Sequence, residues 1–217
     1  MKVIAFNGSP RKSWNTATLL KHALEGAASR GAETELVHLY DFSYQGCISC
    51  FACKLREGKS FGRCAVNDDL TPILDKAHEA GALILGSPIY FGMPTGVIRS
   101  FIERLLFQYH TYDAAYSSKF NRKIPIGLIY AMNVDRERMA AIGYDRTLLV
   151  TEMAFKRCFG AAETLLATDT YQFDDYSRYE TSGLDEKSKA RRRAEVFPED
   201  CRKAFEMGVR FAEQCGI

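Results

Sequence analysis

The sequence predicts an α/β protein in which helices cover both faces of a five-stranded parallel sheet. Five short apolar runs alternate with segments of helical periodicity, and the runs are mostly apolar throughout instead of alternating with polar residues. Strands of that kind are buried on both faces of a sheet. The order β-α-β-α-β-α-β-α-β-α then favours parallel strands joined by helical crossovers, which gives a three-layer α/β/α arrangement.

The strands are predicted from apolar runs that are rich in β-forming residues and bounded by turn residues. The first run, KVIAFN, starts the chain and leads through a polar loop into the first helical segment. The five predicted strands cover residues 2–7, 33–40, 82–88, 123–132 and 162–169.

Helices are predicted where apolar residues recur every three to four positions. The clearest cases run from Leu19 to Ala28, after the first strand, and from Val97 to Leu106, after the third. Another helix is predicted over roughly 136–158. Each lies between two predicted strands, as a crossover requires.

The composition is that of a globular protein. The chain has 217 residues, of which 47% are hydrophobic and 26% charged, enough to bury a full core. A net charge of +2 creates no large field for nucleic acid or an anionic membrane. No apolar run reaches the roughly 18 residues of a membrane span, and no signal-peptide pattern is seen. We expect a cytoplasmic protein with one domain over residues 1–217, including a C-terminal extension from about 170 that ends in a helix.

The first candidate site is the loop GSPRKSWNT, which joins the first strand to the first helix. Open parallel sheets bind ligands at the carboxyl ends of strands, where the strand order reverses, and a helix N-terminus favours an anion. The loop offers hydroxyl, amide and guanidinium donors suited to a phosphate: Ser9, Thr16, Asn15 and Arg11. The alternative is a helix cap by Ser13 or Asn15 with Arg11 in solvent.

The second candidate site is the loop GSPIYFGMPTG at 86–96, which follows the third strand. Its backbone amides suit the polar edge of a planar heterocycle, and Tyr90 and Phe91 suit its side. The alternative is a hairpin-like turn whose two aromatic rings pack on a neighbour. Neither G-x-G-x-x-G nor G-x-x-x-x-G-K-[ST] occurs in the chain, which argues against a Rossmann dinucleotide site and against an NTPase.

Together these two loops resemble the NADPH-dependent FMN reductase family of flavodoxin-like proteins, over most of residues 1–170. The resemblance implies a flavodoxin-like fold and FMN as cofactor. It implies phosphate contacts from Ser9, Arg11, Asn15 and Thr16, and an isoalloxazine site lined by Pro88, Ile89, Tyr90, Phe91 and Gly92. It adds a third contact around Met132 and Asn133.

The resemblance also implies the reaction. NAD(P)H would reduce FMN, which would pass electrons to a quinone, a nitro or azo compound, free flavin or a metal centre; flavin carries this chemistry, so no catalytic side chain is expected. The alternative is a flavodoxin-type carrier between protein partners, but Arg11 and an isoelectric point near 8.1 favour the enzyme. A homodimer or homotetramer is expected, with residues 170–180 and the helix after the third strand at the contact.

The cysteines form a separate motif. Cys47, Cys50 and Cys53 make a C-x-x-C-x-x-C run after the second strand, and Cys64 follows after ten intervening residues. Seven cysteines, with three so close together, do not fit a disulfide framework. Within the resemblance, a compact version of this motif marks the iron-sulfur flavoprotein branch, which implies these four thiolates as ligands of a [4Fe–4S] cluster.

Two alternatives to the cluster remain open, because the last spacing is longer than that branch usually has. A zinc site also uses thiolates, and the cysteines could instead be free or redox-active thiols. The sequence favours the last of these, with FMN as the only bound cofactor.

Two C-terminal segments lie outside the predicted sheet. The charge-dense stretch DEKSKARRRAE at 185–195 is interpreted as a solvated helix face or linker. Four aromatic residues occur in TYQFDDYSRYE at 170–180. Exposed aromatic clusters seldom stay solvated, so this segment is expected to cover a partner subunit or the flavin mouth, or else to fold onto its own domain.

Overall fold

The computed structural model of the chain describes residues 1–216 and contains the predicted parallel sheet. Its strands are β1 (Lys2–Asn7), β2 (Glu33–His38), β3 (Ala82–Tyr90), β4 (Met93–Pro94), β5 (Ile124–Ala131) and β6 (Gly160–Ala167). The five parallel strands lie in the order β2-β1-β3-β5-β6, and the two-residue β4 pairs antiparallel with the end of β3. Without β4, this is the flavodoxin-like order 2-1-3-4-5, so the fold prediction is confirmed.

Seven α-helices connect and follow the strands within residues 1–216. They are α1 (Asn15–Ala28), α2 (Thr71–Glu79), α3 (Gly96–Phe107), α4 (Arg136–Ala141), α5 (Tyr144–Phe159), α6 (Glu186–Glu195) and α7 (Phe197–Gln214). The prediction of a single helix over 136–158 is wrong in one respect. The helical segment is divided at Gly143, whose φ of +79° is left-handed and ends the first helix.

The core has two halves, one on each face of the sheet. Alternate residues of β1 point to opposite faces: Ile4 and Phe6 join α2, α3 and α5, whereas Val3 and Ala5 join α1 and α7. Strands β1, β3 and β5 are buried on both faces, as predicted, except at the exposed end of β3. The edge strands β2 and β6 are half-exposed, because only one neighbour covers each of them.

The C-terminal helix completes one layer of the fold. α7 crosses α1 so closely that a Cβ at Gly208 would stand 1.8 Å from Ala23 O, and one at Gly26 would stand 1.9 Å from Phe205 O. Only glycine permits backbones to approach in this way. Residues of α7 such as Met207 and Phe211 are part of the core. Between Met1 and Gly216 no helix is both long and apolar enough to cross a membrane.

Candidate functional site

The loop after β1 lies where the strand order reverses, between β1 and β3. The Gly8 N–H donates to Gly86 O at 2.8 Å, and the Thr95 hydroxyl donates to Gly8 O at 2.7 Å. A Cβ at Gly8 would stand 2.6 Å from the Cβ of Ile98 on α3. The loop is thus held against Gly86 of β3 and the start of α3, at the carboxyl end of β1 as the sequence predicted.

Three of the four predicted phosphate contacts are buried: Ser9, Asn15 and Thr16. The Ser9 hydroxyl accepts the Arg11 N–H at 3.1 Å, which shapes the turn. α1 begins at Asn15, and no side chain within residues 1–216 caps it. Helix capping by Ser13 or Asn15, the alternative considered from the sequence, is therefore wrong, and the first-turn N–H groups have no side-chain acceptor at the cap.

The polar side chains of this loop contact the C-terminal segment. Arg11 Nη1 donates to Gln172 O at 2.7 Å, and its guanidinium lies 3.8 Å from the Trp14 ring centroid. Asn15 Nδ2 and Trp14 Nε1 both donate to Tyr171 O, at 2.8 and 3.2 Å. Residues 171–172 therefore close over the loop through two main-chain carbonyls.

A second cation, which the sequence did not predict, completes the loop. Arg193 of α6 donates to Asn15 Oδ1 at 2.5 Å, and its guanidinium lies 4.5 Å from the Phe197 ring centroid. It comes from the charge-dense stretch that was interpreted as a solvated face or linker. The basic composition of that stretch was the available signal, but its target lies 178 residues away in the chain.

The same helix reaches the ends of two strands. Lys189 is buried, donates to Asn133 O at 2.7 Å and pairs with Asp169. Arg192 pairs with buried Asp200 at 2.5 Å. The stretch 185–195 thus forms a helix with a solvated face, as interpreted, but it is not a linker, because three of its cations turn inward.

The third predicted contact region lies after β5. Met132 is buried, and its carbonyl accepts the Thr170 N–H at 2.9 Å. Asn133 Oδ1 is buried and has no hydrogen-bond partner within residues 1–216. A buried acceptor without a donor is unfavourable, so this atom calls for a partner that the folded chain does not supply.

The second candidate loop is a hairpin whose rings are left exposed. Phe91 and Gly92 have φ values of +51° and +81°, which is typical of a tight hairpin turn between β3 and β4. Phe91 is fully exposed at 101% and Tyr90 is 48% exposed. The alternative from the sequence is thus half right, because the turn exists but Phe91 packs on nothing. A bulky residue in left-handed conformation stores strain, as residues at functional sites often do.

The aromatic residues of 170–180 pack mainly on one another. Tyr176 is buried, lies 5.0 Å from the Tyr171 ring centroid, and accepts the Gln172 N–H through its hydroxyl at 2.9 Å. Phe173 stacks on Tyr179 at 4.1 Å. The segment folds onto its own domain, at the loop after β1, which is one of the alternatives given for it.

The four cysteines of the motif line one small cavity. Cys47, Cys50, Cys53 and Cys64 surround a volume of about 20 Å³, with Arg104, Phe107 and Gln108 of α3 and its C-terminal end on the other side. Two residues of the run have left-handed backbones, Ser49 at φ +53° and Phe51 at φ +57°. These two residues flank Cys50, so the sharply turned chain lets all three cysteines of the run face the same cavity.

Arg104 of α3 is hydrogen-bonded to the cysteine segment, by which we mean residues 47–68. Its fully buried guanidinium donates to Cys64 Sγ at 3.3 Å, pairs with Asp68 at 2.5 Å and donates to Val66 O at 3.0 Å. One turn later, Gln108 Oε1 accepts the Cys64 N–H at 3.0 Å. Sequence reasoning missed both residues, because they are part of an ordinary amphipathic helix.

The surroundings of the cysteines are positive and partly buried. The Lys54 ammonium donates to Phe107 O and to His110 O. Burial raises the pKa of the Cys53 thiol and lowers the pKa of the adjacent Lys54 ammonium. Burial therefore opposes formation of a Cys53 thiolate, which would need positive charge or a bound metal to stabilise it.

A larger cavity of about 550 Å³ adjoins the cysteines and shares Cys47 and Phe107 with the small one. α3 and α5 form its apolar walls, and Arg157 and His110 are among its polar residues. Its volume is in the range of small-molecule sites.

The residues after β1, β3 and β5 have polar and aromatic groups of the kinds that would bind FMN. Arg11 uses one guanidinium N–H on Gln172 O, which leaves further donors for a phosphate, and the α1 N-terminus is uncapped. The unpartnered Asn133 Oδ1 and the exposed rings of Tyr90 and Phe91 suit a flat polar heterocycle.

The donor set also fits an iron-sulfur cluster. Within residues 1–216, no three His, Cys, Asp or Glu side chains are placed to share one metal ion. A four-iron cluster is ligated differently, because each cysteine takes a separate corner. The cavity of about 20 Å³ is smaller than such a group, and Cys50 on its lining is exposed to solvent.

Comparison with known proteins finds a flavin reductase family and relatives named iron-sulfur flavoproteins. The family model described as NADPH-dependent FMN reductase matches residues 1–151. An iron-sulfur flavoprotein of Methanocaldococcus jannaschii is 43% identical over 104 residues, which cover 48% of this chain and 51% of that protein. An iron-sulfur flavoprotein of Archaeoglobus fulgidus is 39% identical over 104 residues, or 48% of each chain. The chain spans about half the length of the curated relatives it matches.

The fold has a close structural counterpart at low sequence identity. An NAD(P)H:quinone oxidoreductase from Methanothermobacter marburgensis superposes with a TM-score of 0.69 at 14% identity, covering 96% of this chain and 98% of that one. At that identity the likeness shows the fold alone. The family match, in contrast, extends over well more than half of the sequence and contains both strand-end loops and the cysteine motif. The chain belongs to the NADPH-dependent FMN reductase family.

Proposed function

We propose that the chain is an FMN-dependent oxidoreductase in which the loops at the ends of β1 and β3 would hold FMN and the cysteine segment would hold a [4Fe–4S] cluster, which would supply one-electron transfer. The observation that carries this proposal is the cavity on which Cys47, Cys50, Cys53 and Cys64 converge, although Cys64 lies ten residues beyond the compact run. The relatives named iron-sulfur flavoproteins support it. It replaces the FMN-only interpretation that the sequence favoured.

Each region has a defined task in this proposal. FMN would supply both one- and two-electron transfer, and a cluster would supply one-electron transfer. The loop after β1 would hold the phosphate through Ser9, Arg11, Asn15 and Thr16. The ring would be lined by residues 88–92, with Met132 and Asn133 at its polar edge. Residues 171–172 cover this loop and would exclude water from it.

NAD(P)H-dependent reduction of a small acceptor is the second candidate function. The cavity of about 550 Å³ beside Cys47 favours it, because apolar walls with a few polar groups suit a quinone, a nitro or azo compound, or free flavin. Rapid anaerobic bleaching of the flavin by NADPH or NADH in a stopped-flow instrument would support this candidate. Slow bleaching with fast exchange to a protein donor would favour the carrier function.

Anaerobic purification followed by flavin, iron and sulfide analysis tests the main proposal. We expect one FMN and about four irons per chain, with the iron lost and the FMN retained when Cys50 is replaced by Ser. Cys201→Ser is the matched control, since Cys201 is buried on α7 within the other half of the core. A colourless protein that does not quench added FMN would contradict flavin binding. Flavin without iron would support the FMN-only interpretation instead.

We further propose a homodimer or homotetramer with residues 170–180 and α3 at the contact. Next to α3, the outer side of α5 exposes Leu149, Val150 and Met153, each more than half accessible. Such apolar patches are typical of association surfaces. Light scattering at micromolar concentration should therefore give a mass of at least twice 24.4 kDa; a monomer mass would contradict the proposal.

A further inference from the structure

Two nitrogen donors on α3 and at its C-terminal end face the cysteine cavity. Arg104 and Gln108 are four residues apart, so they lie on the same side of the helix, and both line the cavity with the four cysteines. Each already contacts Cys64, one through its sulfur and the other through its main-chain N–H. They are the polar side chains of the helical wall.

The orientation of the Gln108 amide is fixed by Cys64. Because the Cys64 N–H needs an acceptor, Oε1 must be the atom that faces it at 3.0 Å. The other end of the amide, Nε2, is buried and has no hydrogen-bond partner within residues 1–216. With the side chain only 3% exposed, neither solvent nor the folded chain satisfies this donor, so it calls for an acceptor from a bound group.

The Arg104 guanidinium is held in one orientation. Asp68, Val66 O and Gln45 O accept its terminal N–H groups. Its Nε–H remains and is directed at Cys64 Sγ at 3.3 Å. Since sulfur is a weak acceptor when protonated and a stronger one as thiolate, this donor is placed for the metal-ligated form of Cys64.

We propose that Arg104 and Gln108 donate hydrogen bonds to the sulfur atoms of the group held by Cys47, Cys50, Cys53 and Cys64, and that these bonds raise its reduction potential. This inference rests on the proposed cluster. One-electron reduction adds negative charge to the sulfurs, without making or breaking a bond, and N–H donors stabilise that charge.

The test is an anaerobic redox titration with dithionite as electron donor, followed by electron paramagnetic resonance. Gln108→Met removes the donor without adding charge, and Gln108→Glu removes it but keeps the acceptor for the Cys64 N–H. Both should lower the midpoint potential, Gln108→Met by about tenfold in the reduction equilibrium, or 59 mV for one electron. Arg104→Lys, which keeps the charge but loses the Nε donor, should lower it too.

The control is Arg99→Met, which removes a cation from α3 that contacts Met93 instead of the cysteines; its potential should match the unmodified protein. Iron content is measured for every variant. An unchanged potential in both Gln108 variants at full iron content would overturn the inference while the proposed function stands. Loss of iron from both would also overturn it, because Gln108 would then retain the cluster instead of tuning it. Absence of iron from the unmodified protein would contradict the proposed function itself.

Discussion

The loop after β1 and the cysteine segment both lie after the carboxyl ends of parallel strands, but they differ in how their polar groups are satisfied. In the loop, the Arg11 and Asn15 side chains bond to carbonyls of residues 171–172, and Arg193 also bonds to Asn15. In the cysteine cavity, Gln108 Nε2 is buried with no partner in the described chain. The loop therefore offers a ligand those donors of Arg11 and of the α1 N-terminus that the chain leaves over, whereas the cysteine cavity offers a buried donor that is wholly unused within residues 1–216.

This difference should separate substitutions that change the stability of the fold from those that change the affinity for a ligand. Where the chain satisfies its own polar groups, a ligand gains only the difference between its bonds and those it displaces. Where a donor is unpartnered, the folded chain is destabilised until the ligand arrives. Arg104 in the cysteine region is buried and paired with Asp68, so its substitution should act mainly on folding. Arg11 in the loop is exposed, so its substitution should act mainly on affinity.

The largest effect is expected for Arg104→Met. This change leaves Asp68 without its partner at 2.5 Å and removes donors from Cys64 and Val66. Removing one member of a fully buried pair typically costs about 3 to 5 kcal/mol, and because the Asp68 side chain is 19% exposed we expect the lower end of that range. Urea denaturation should show a loss of that order in the free energy of unfolding.

An exposed ion pair provides the control for that measurement. Arg210→Met breaks a pair with Glu163 at 2.6 Å, in which both side chains are more than 40% exposed. Surface pairs contribute about 0 to 1 kcal/mol. Equal losses in the two variants would show that burial of Arg104 does not matter, and the contrast between the two regions would be wrong.

A smaller effect, on affinity, is expected for Arg11→Ala. Loss of a charge-assisted hydrogen bond to phosphate should weaken FMN by about 1.5 to 3 kcal/mol, with little change in stability. Quenching of flavin fluorescence measures the dissociation constant. The control is Arg178→Ala, an exposed cation in the neighbouring C-terminal segment. If both variants bind FMN like the unmodified protein, the loop after β1 does not hold the phosphate.

The smallest effect at neutral pH concerns the cysteines outside the cavity. Burial raises the pKa of Cys158 and of Cys201 from an ordinary value of 9.0 to about 11. Both thiols stay protonated below pH 9, folded or unfolded, so their contribution to stability is intact there. Between pH 9 and 11 the unfolded state loses these protons first, and stability should fall.

Iodoacetamide labelling checks this prediction. In cluster-free protein at pH 8, the exposed Cys50 should react first, whereas Cys158 and Cys201 should react only after unfolding. Mass spectrometry of tryptic peptides assigns each site. Early modification of Cys201 would mean that α7 opens from α1 in the native state.

The sequence predicted features that depend on local pattern. All five parallel strands were found, because buried strands need continuous apolar runs, and both candidate loops lie where strand ends place them. The break at Gly143 was missed, since helical periodicity continues on both sides of it. The extension of β3 to Tyr90 was missed as well, because prolines and glycines in that stretch indicate a loop.

Contacts between distant residues could not be predicted. The cysteine set was evident from its spacing, but Arg104 and Gln108 lie 40 and 44 residues from Cys64, and nothing in their helix marks them. Arg193 reaches Asn15 across 178 residues. Such pairs depend on the orientation of helices after folding, which periodicity does not specify.

The closure of residues 171–172 over the loop has a consequence for genetic experiments. Its two acceptors are main-chain carbonyls, those of Tyr171 and Gln172. Every amino acid carries that carbonyl, so drift at these two positions leaves both acceptors in place. A library of single substitutions would thus report only the loss of the Tyr171 and Gln172 side-chain contacts and not the role of the two carbonyls, whereas deleting either residue would shift the acceptors out of register with Arg11 and Asn15.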